Sequence, residues 1–225
     1  MKKYLLVLLA LILVNQFGFG QESRLNRIEF DIEGGPNLSF MYGNSYTVDN
    51  VKSGIGFQGG FSFQYNFSRL LAIRTNISFE RRVIKNKDEV TFTDEFGNVI
   101  GTGTFYNHYN YLVLPILLRT SFGNHLRFFA NAGPYIGLLL KGKFFSEITS
   151  TGEQTSGTLE DAKKIDLGLS TGIGLSLPLS EHIAIAFEAR NNLGLLPINN
   201  KEDGDGGAKF NTTEILLSIT YGLKK

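Results

Sequence analysis

The sequence predicts an all-β fold, an eight-stranded antiparallel up-and-down transmembrane β-barrel. First, the connections between its strand-like runs alternate between short and long, as in barrels with tight periplasmic turns and longer outer loops. Second, the runs are roughly 10–14 residues long, whereas soluble strands usually have ~5–6 and a tilted membrane strand needs ~9–11. Third, apolar residues alternate with small polar ones, which is the period of a strand with two different faces.

The first 20 residues have the parts of a secretory signal. Lys2 and Lys3 carry positive charge, an apolar segment follows at 4–14, and Gly18 and Gly20 are small residues before a cleavage position at Gln21. The apolar segment is too short to span a bilayer comfortably. We therefore expect a signal peptide at 1–20 and one barrel domain at 21–225, with an uncleaved N-terminal anchor as the alternative.

The composition excludes several classes of protein. The formal net charge is +1, and removal of Lys2 and Lys3 with the signal leaves −1, so no basic excess would attract nucleic acid. The chain has no cysteine, which excludes disulfides, thiolate metal sites and a lipid-anchored N-terminal cysteine. The 26 glycines, 19 phenylalanines and 9 tyrosines favour curved, closely packed strands over helices.

Eight runs show the strand period. They cover residues 27–40, 54–65, 70–81, 108–120, 126–139, 164–177, 182–193 and 211–223. In the first three, apolar residues recur at every second position against polar or glycine neighbours: Ile28, Phe30 and Ile32; Ile55, Phe57, Phe61 and Phe63; Leu71, Ile73, Ile77 and Phe79. The fourth is the least regular, because both of its faces are largely apolar. Pro115 cannot donate a hydrogen bond to a neighbouring strand, so we expect a bulge or a local break in pairing there.

The last four runs repeat this alternation, and the sixth is the clearest. Their apolar positions include Phe128, Ala130 and Ala132; Ile165, Leu167 and Leu169; Ile183, Ile185 and Phe187; Ile215, Leu217 and Ile219. The short connections fall at 66–69, 121–125 and 178–182, and the long ones at 41–53, 82–107, 141–163 and 195–209. Two long connections contain further hairpins, 89–93 with 99–105 and 144–149 with 154–159.

The alternating polar face is small, which fits the narrow interior of an eight-strand barrel. Side chains fill such a lumen and leave no aqueous channel. Buried charges need partners, so we expect an interior polar network. Its members are Arg74, Arg119, Asp166, Glu188, Arg190 and Glu214. The acids Glu29, Asp31, Glu33 and Glu80 also fall on this face, although Glu29 and Glu80 could instead meet water near strand ends.

Aromatic residues near both ends of the runs resemble two interfacial girdles. The outer set is Tyr42, Tyr46, Tyr106, Tyr109 and Tyr111, and the inner set is Tyr65, Phe67, Phe122 and Tyr221. Aromatic residues are also common in strands of any kind, which is the alternative explanation.

Four segments in runs four to seven carry a family resemblance. They are YLVLPILLR at 111–119, FANAGPYIG at 129–137, DLGLSTGIG at 166–174 and FEARNNLG at 187–194. On these segments the chain resembles the PorT-like outer-membrane β-barrel family. The resemblance implies an eight-strand barrel of a Gram-negative envelope, without implying one function. The member that gives the family its name is similar to a component of a protein-secretion and gliding system.

Sites for catalysis or metal binding are weakly indicated. His108, His125 and His182 fall in different parts of the pattern, so we expect no metal cluster. His108 lies near serines and keeps a lipid-modifying enzyme open, beside the simpler interpretation as a polar residue at the membrane rim. The acidic stretch 201–207 lacks the spacing and terminal Glu of an EF-hand loop, which favours a flexible loop over a weak calcium site.

We therefore expect a monomeric, non-enzymatic, integral outer-membrane protein with both termini in the periplasm. Outer-membrane lipid surrounds it, and its long loops have a structural, adhesive or accessory envelope role, with other envelope or secretion proteins as candidate partners. No cofactor is expected. The alternatives are an accessory component of a protein-secretion system, a lipid-modifying outer-membrane enzyme, and a soluble periplasmic lipid-binding barrel.

Overall fold

A computed structural model of the chain describes residues 26–43, 49–149, 151–159, 162–198 and 207–223. Within these ranges, ten strands form one antiparallel sheet. The strands are β1 (Ile28–Tyr42), β2 (Val51–Asn66), β3 (Leu71–Asn86), β4 (Val90–Thr93), β5 (Val99–Phe122), β6 (Arg127–Ile148), β7 (Gln154–Thr158), β8 (Ile165–Pro178), β9 (Ile183–Gly194) and β10 (Lys209–Leu223). The signal segment predicted at 1–20 lies outside the described residues.

Eight of the ten strands close into a ring. The order is β5-β3-β2-β1-β10-β9-β8-β6, and β6 pairs again with β5. The ring strands are 12 to 24 residues long, more than soluble strands usually have. All eight runs that the sequence predicts as strands are present, although β3, β5 and β6 extend further than predicted.

The two short strands lie beyond the ring. β4 pairs with the first residues of β5, and β7 pairs with the last residues of β6. Since β5 and β6 pair as far as Gly103 and Ile148, the order β4-β5-β6-β7 makes a four-stranded sheet that continues past the ring. We call it the extension sheet. Both hairpins predicted in the long connections are confirmed.

The predicted alternation of short and long connections is also confirmed. Short turns join β2 to β3, β5 to β6 and β8 to β9, all at one end of the ring. Ser68 and Ser180 close two of these turns, because each hydroxyl accepts backbone hydrogen bonds from residues two and three positions later. Gly123 has a φ of 103°, a left-handed conformation that glycine adopts without steric cost, in the third turn.

The two faces of the ring are the reverse of those in a soluble protein. Apolar residues point outwards, so that Ile55 is 74% exposed and Phe61 is 70% exposed. Charged and amide side chains point inwards and are buried, among them Asp31, Glu33 and Arg74. The predicted assignment of the apolar face to the outside is therefore confirmed.

The strands separate locally where the sequence places proline. Between β3 and β5 the pairing skips Leu114 and Pro115, and between β5 and β6 it skips the two residues after Pro115, opposite Gly133 and Pro134. The register is the same on both sides of each gap, so the irregularity is a break and not a bulge. The hydroxyl of Thr75 donates to the carbonyl of Pro115 at 2.8 Å and supplies one contact across the gap.

Within the described ranges, the structure contains no helix with the length and apolar character needed to cross a membrane.

Candidate functional site: the charged lumen and the extension sheet

Two arginines share one glutamate in the middle of the lumen. Arg74 on β3 places Nη2 2.6 Å from Glu33 Oε2 on β1, and Arg190 on β9 places Nη1 3.0 Å from Glu33 Oε1. Arg74 also pairs with Asp31 at 2.5 Å, and Arg190 Nε lies 2.7 Å from Glu188 Oε1. We call this set the central network. All five side chains are buried, so every charge in it depends on its partners.

Arg119 extends the central network toward the short-turn end. Its Nη2 lies 3.3 Å from Glu188 Oε2, and its Nε donates to Asn131 Oδ1 at 2.8 Å. Asn131 in turn donates to Glu188 Oε1 at 3.0 Å. The guanidinium also lies 3.9 Å from the ring centroid of Phe129, which is a cation–π distance.

A second network, which we call the upper network, surrounds Arg82. Its Nε lies 2.8 Å from Glu80 Oε1, and its Nη1 lies 2.6 Å from Asp166 Oδ2. Tyr135 donates its hydroxyl hydrogen to the same Asp166 oxygen at 2.8 Å. The aromatic rings of Tyr111 and Phe210 lie 4.6 and 5.0 Å from the guanidinium carbon. Arg82 is therefore fully buried and paired with two carboxylates.

The six residues predicted as one interior network fall into two. Arg74, Arg119, Glu188 and Arg190 belong to the central network, and Asp166 belongs to the upper network. Glu214 lies beside the central network, with Oε2 3.9 Å from Arg190 Nη1 and Oε1 accepting from Asn192 Nδ2 at 3.1 Å.

Arg82 is absent from the predicted interior network because the third run is predicted to end at residue 81. β3 continues to Asn86, so Arg82 and Ile84 extend the inward face that Glu80 occupies. The signal was present in the sequence, since Glu80, Arg82 and Ile84 follow the strand period. An arginine two positions after an inward glutamate is close enough to pair with it along the strand.

Apolar side chains fill the lumen at the long-loop end. A buried cluster there contains Ile84, Tyr109, Tyr111, Val113, Tyr135, Ile198, Ala208 and Phe210. The assignment of Tyr109 and Tyr111 to the outer girdle is therefore wrong, because they share the inward face of β5 with Val113. Both rings meet Phe210 edge to face. Tyr42 is the last residue of β1 and Tyr106 forms the last pair of β5 with β3, so both lie at the long-loop end of the ring. Tyr46 lies outside the described residues.

The other end of the lumen holds an open cavity of about 110 Å³. Its lining includes Glu29, Gln64, Arg119, Arg127 and His182, all of which lie within a few residues of the short turns or of the start of β1. Gln64 donates to Glu29 Oε2 at 2.9 Å. The lumen is thus polar and open at one end, ionic in the middle, and apolar at the other end.

The extension sheet ends in an exposed apolar tip. Phe96 in the turn between β4 and β5 is 90% exposed, and Val99 and Ile100 at the start of β5 are also exposed. Below the tip, Phe92 and Phe105 stack at 5.4 Å between β4 and β5. Exposed apolar side chains gathered at the end of a projecting hairpin are typical of a binding surface.

The tip turn is organised by Asp94. Its carboxylate accepts hydrogen bonds from the side-chain amide of Asn98 at 2.9 Å and from the backbone N–H groups of Asn98 and Phe96 at 2.8 and 2.9 Å. These bonds, led by the Asn98 side chain, hold the pKa of Asp94 below its ordinary value.

We expect this turn to keep its order until the pH falls below the ordinary aspartate pKa. A carboxyl whose pKa is lowered by folding stabilises the fold above its unfolded pKa and loses that effect as the pH falls through the folded value. The Phe96 and Asn98 amide signals in an NMR titration should therefore shift with a midpoint below the ordinary aspartate value of about 3.9. The same signals in an Asp94→Asn variant should not follow that titration. A midpoint at or above the ordinary value would contradict the assignment.

The histidines lie apart from one another. His108 packs against Phe145 and Tyr106 on the outer side of β5, with ring centroids 4.7 and 5.5 Å away. His125 and His182 lie in two short turns. In the part of the chain that the structure describes, no three His, Asp or Glu side chains gather as metal ligands. Of the acidic stretch 201–207, only Gly207 is described.

The chain was compared with protein-family models, with curated proteins and with solved structures. The family model described as "Outer membrane protein beta-barrel domain" matches residues 19–200. No curated protein matches the chain.

Solved structures of low sequence identity also align with the chain. The Neisserial surface protein A aligns at 12% identity and a TM-score of 0.49, over 90% of this chain and 100% of that one. OprG from Pseudomonas aeruginosa aligns at 12% identity and a TM-score of 0.48, over 90% of this chain and 100% of OprG. Ail from Yersinia pestis, solved in complex with the heparin analogue sucrose octasulfate, aligns at 14% identity and a TM-score of 0.42. The alignment covers 87% of this chain and 99% of Ail.

The family match covers most of the chain and agrees with the closed ring and its outward apolar face. It also removes the soluble periplasmic alternative. The chain is an integral outer-membrane protein, and it belongs to the outer membrane protein beta-barrel domain family.

Proposed function

We propose that the protein is an eight-stranded transmembrane barrel with a closed lumen, which acts in the cell envelope by binding through its extension sheet. The observation that carries this proposal is the contrast between the two parts of the molecule. Two arginine networks and an aromatic cluster fill the lumen, whereas the extension sheet exposes Phe96 at its tip. The role is structural, adhesive or accessory, and it includes no catalytic step.

The alternation of short and long connections supports an orientation in the membrane. Bacterial barrels keep short turns in the periplasm and longer loops outside. Here Ile28, the first residue of β1, pairs with Leu223, the last residue of β10, at the short-turn end. We therefore place both termini in the periplasm, after removal of a signal peptide at 1–20, and the extension sheet outside the cell.

A closed lumen predicts the absence of conductance. An eight-strand barrel has an interior that side chains can fill, and here Glu33 bridges arginines from β3 and β9 across it. Purified protein in a planar bilayer should therefore give no stable channel. A porin measured under the same conditions is the positive control and should conduct. Its insertion should be established independently, by heat-modifiable gel migration and by recovery in the outer-membrane fraction. Reproducible unitary conductance from inserted protein would contradict the closed lumen.

The tip residue should matter for adhesion. A Phe96→Ser change removes the most exposed aromatic side chain and no ring contact of the described residues, so folding should be unaffected. Cells carrying this variant should partition into hydrocarbon less than cells with the unchanged protein. Glu95→Ser, at the neighbouring exposed position, is the matched control. If deletion of the whole protein lowers partitioning and Phe96→Ser does not, the tip is not the adhesive surface.

An accessory role in secretion is the second candidate, supported by the resemblance of segments 111–119, 129–137, 166–174 and 187–194 to PorT-like proteins. Cross-linking in intact cells, followed by affinity purification, distinguishes the two roles. An envelope protein that is captured by the full chain and lost when residues 88–104 are replaced by a short turn favours the accessory role. Adhesion without any captured envelope protein favours the adhesive one.

A further inference from the structure

We propose that one side of the barrel binds the phosphate groups of an outer-leaflet glycolipid. The site is formed by five basic side chains on the outer surface of β2, β3 and β6, on both sides of β5, which we call the basic patch: Lys52, Arg81, Lys85, Lys141 and Lys143. The inference rests on the membrane insertion and orientation of the proposed function. The inference adds a specific lipid ligand to the proposed function.

Strand register places these side chains on one face. Lys52 lies opposite Lys85, Lys143 lies opposite His108, and Lys141 and Arg81 both lie opposite Asn110. Paired residues of neighbouring strands point to the same side of a sheet. That side is the outer one, because the inward positions between them hold Arg82, Ile84 and Tyr109, all of which are buried.

The five members of the patch are all cationic, and no carboxylate of the described residues is seen to pair with them. Eight ion pairs lie inside the ring, and none of them includes a member of the patch. Arg81 donates Nε to Asn110 Oδ1 at 2.9 Å and lies 5.2 Å from the Phe57 ring, contacts that leave its positive charge uncompensated. Like charges directly opposite each other, such as Lys52 and Lys85, are unfavourable unless an anion joins them.

The position of the patch, next to the exposed apolar surface of the ring, favours a lipid as the ligand. On β2, β5 and β6, the next outward residues in the direction of the short turns are apolar and exposed, among them Phe57, Leu112, Leu138 and Leu140. Tyr106 and Phe145 stack at 5.3 Å beside the lysines, as aromatic residues do at a membrane interface. A ligand with acyl chains on the apolar surface and phosphates at the level of the lysines fits both parts.

The patch lies on one side of the ring, where Lys163 and Lys164, just before β8, are further basic residues beside β6. At the same level on β1, β9 and β10, the outward residues are Phe40, Asn191, Asn211 and Thr213, and Lys209 is the basic residue among the described positions there. Lys209 lies 5.9 Å from the Tyr42 ring. A general attraction to anionic lipid would not require this asymmetry, whereas a single bound headgroup does.

Native mass spectrometry of the detergent-solubilised full chain tests the proposal. The probe is lipid A, a glycolipid with two phosphates, compared with the same lipid after removal of its phosphates. We expect one lipid A to bind, the dephosphorylated form to bind far more weakly, and Lys52→Gln/Lys85→Gln/Lys143→Gln to lower the affinity about a hundredfold. Lys209→Gln should bind like the unchanged protein. The variants alter exposed side chains, Lys52 and Lys85, or partly exposed ones, Lys143 and Lys209, and heat-modifiable migration confirms that each is folded.

Two further arms identify the source of the phosphate. Inorganic phosphate and a soluble sulfated polysaccharide should displace lipid A only at high concentration. Efficient displacement by either would replace the lipid with a soluble anion and overturn the proposal, as would equal lipid A binding by the triple variant. Failure of the chain to insert into membranes would instead contradict the proposed function, so the two failures are distinguishable.

Discussion

Replacing Arg190 with methionine is expected to lower the free energy of unfolding by about 3–5 kcal/mol, the usual cost of removing one partner from a buried ion pair. Arg190 contacts Glu33 and Glu188 and lies near Glu214, all of them buried. Methionine preserves most of the volume, so the loss arises chiefly from carboxylates left without compensation. Arg74 still holds one side of Glu33, and for this reason the protein should remain foldable.

The measurement is a urea titration in detergent micelles, followed by circular dichroism because the chain has no tryptophan. Arg27→Met, at an exposed position, is the matched control and should change stability by less than about 0.5 kcal/mol. Adding Glu33→Gln to Arg190→Met should recover part of the loss, because it removes the uncompensated charge. Equal unfolding midpoints for the Arg190 and Arg27 variants would refute the central network as a stabilising element.

Replacing Gly35 with alanine is expected to destabilise the seam between the first and last strands. A Cβ at this position would lie 1.9 Å from the carbonyl oxygen of Ile215 on β10, and the backbone of a paired strand cannot move away freely. The cost should be at least about 1–3 kcal/mol, the range for overpacking. The fraction of refolded protein with heat-modifiable migration should fall.

Gly59 is the matched control for this change. A Cβ there has its nearest neighbour, the Glu33 carbonyl oxygen, at 3.8 Å, which is ordinary van der Waals contact. Gly59→Ala should therefore refold like the unchanged chain. If both alanine variants refold equally well, the close approach of β1 and β10 is not a constraint on assembly.

The strands and their connections could be predicted from the sequence because strand period and loop length are local properties. Ile55 and Phe61 alternate with inward residues in the sequence just as they do in the structure, and the hairpin around residues 94–98 is visible as two alternating segments. The limits of β3 and β5 were harder to predict. Alternation continues past the ring into the extension sheet, and nothing in it marks where a connection begins.

The partners within the lumen could not be predicted in the same way. Arg190 and Glu33 are 157 residues apart, and they meet only because closure brings β9 and β1 to either side of β10. Which inward charges share a level depends on the stagger between strands, which single-strand patterns do not contain. This is why Asp166 joined Arg82 rather than Arg190.

The pairing of β1 with β10 also has a consequence for biogenesis. Because the first ring strand has the last as its neighbour, the N-terminal strand keeps an open edge until translation and export are complete. Glu33 likewise meets Arg190 only at that stage. A chain truncated before β10 would expose unpaired backbone and uncompensated charge together, so incomplete copies are distinguishable from finished ones by their instability.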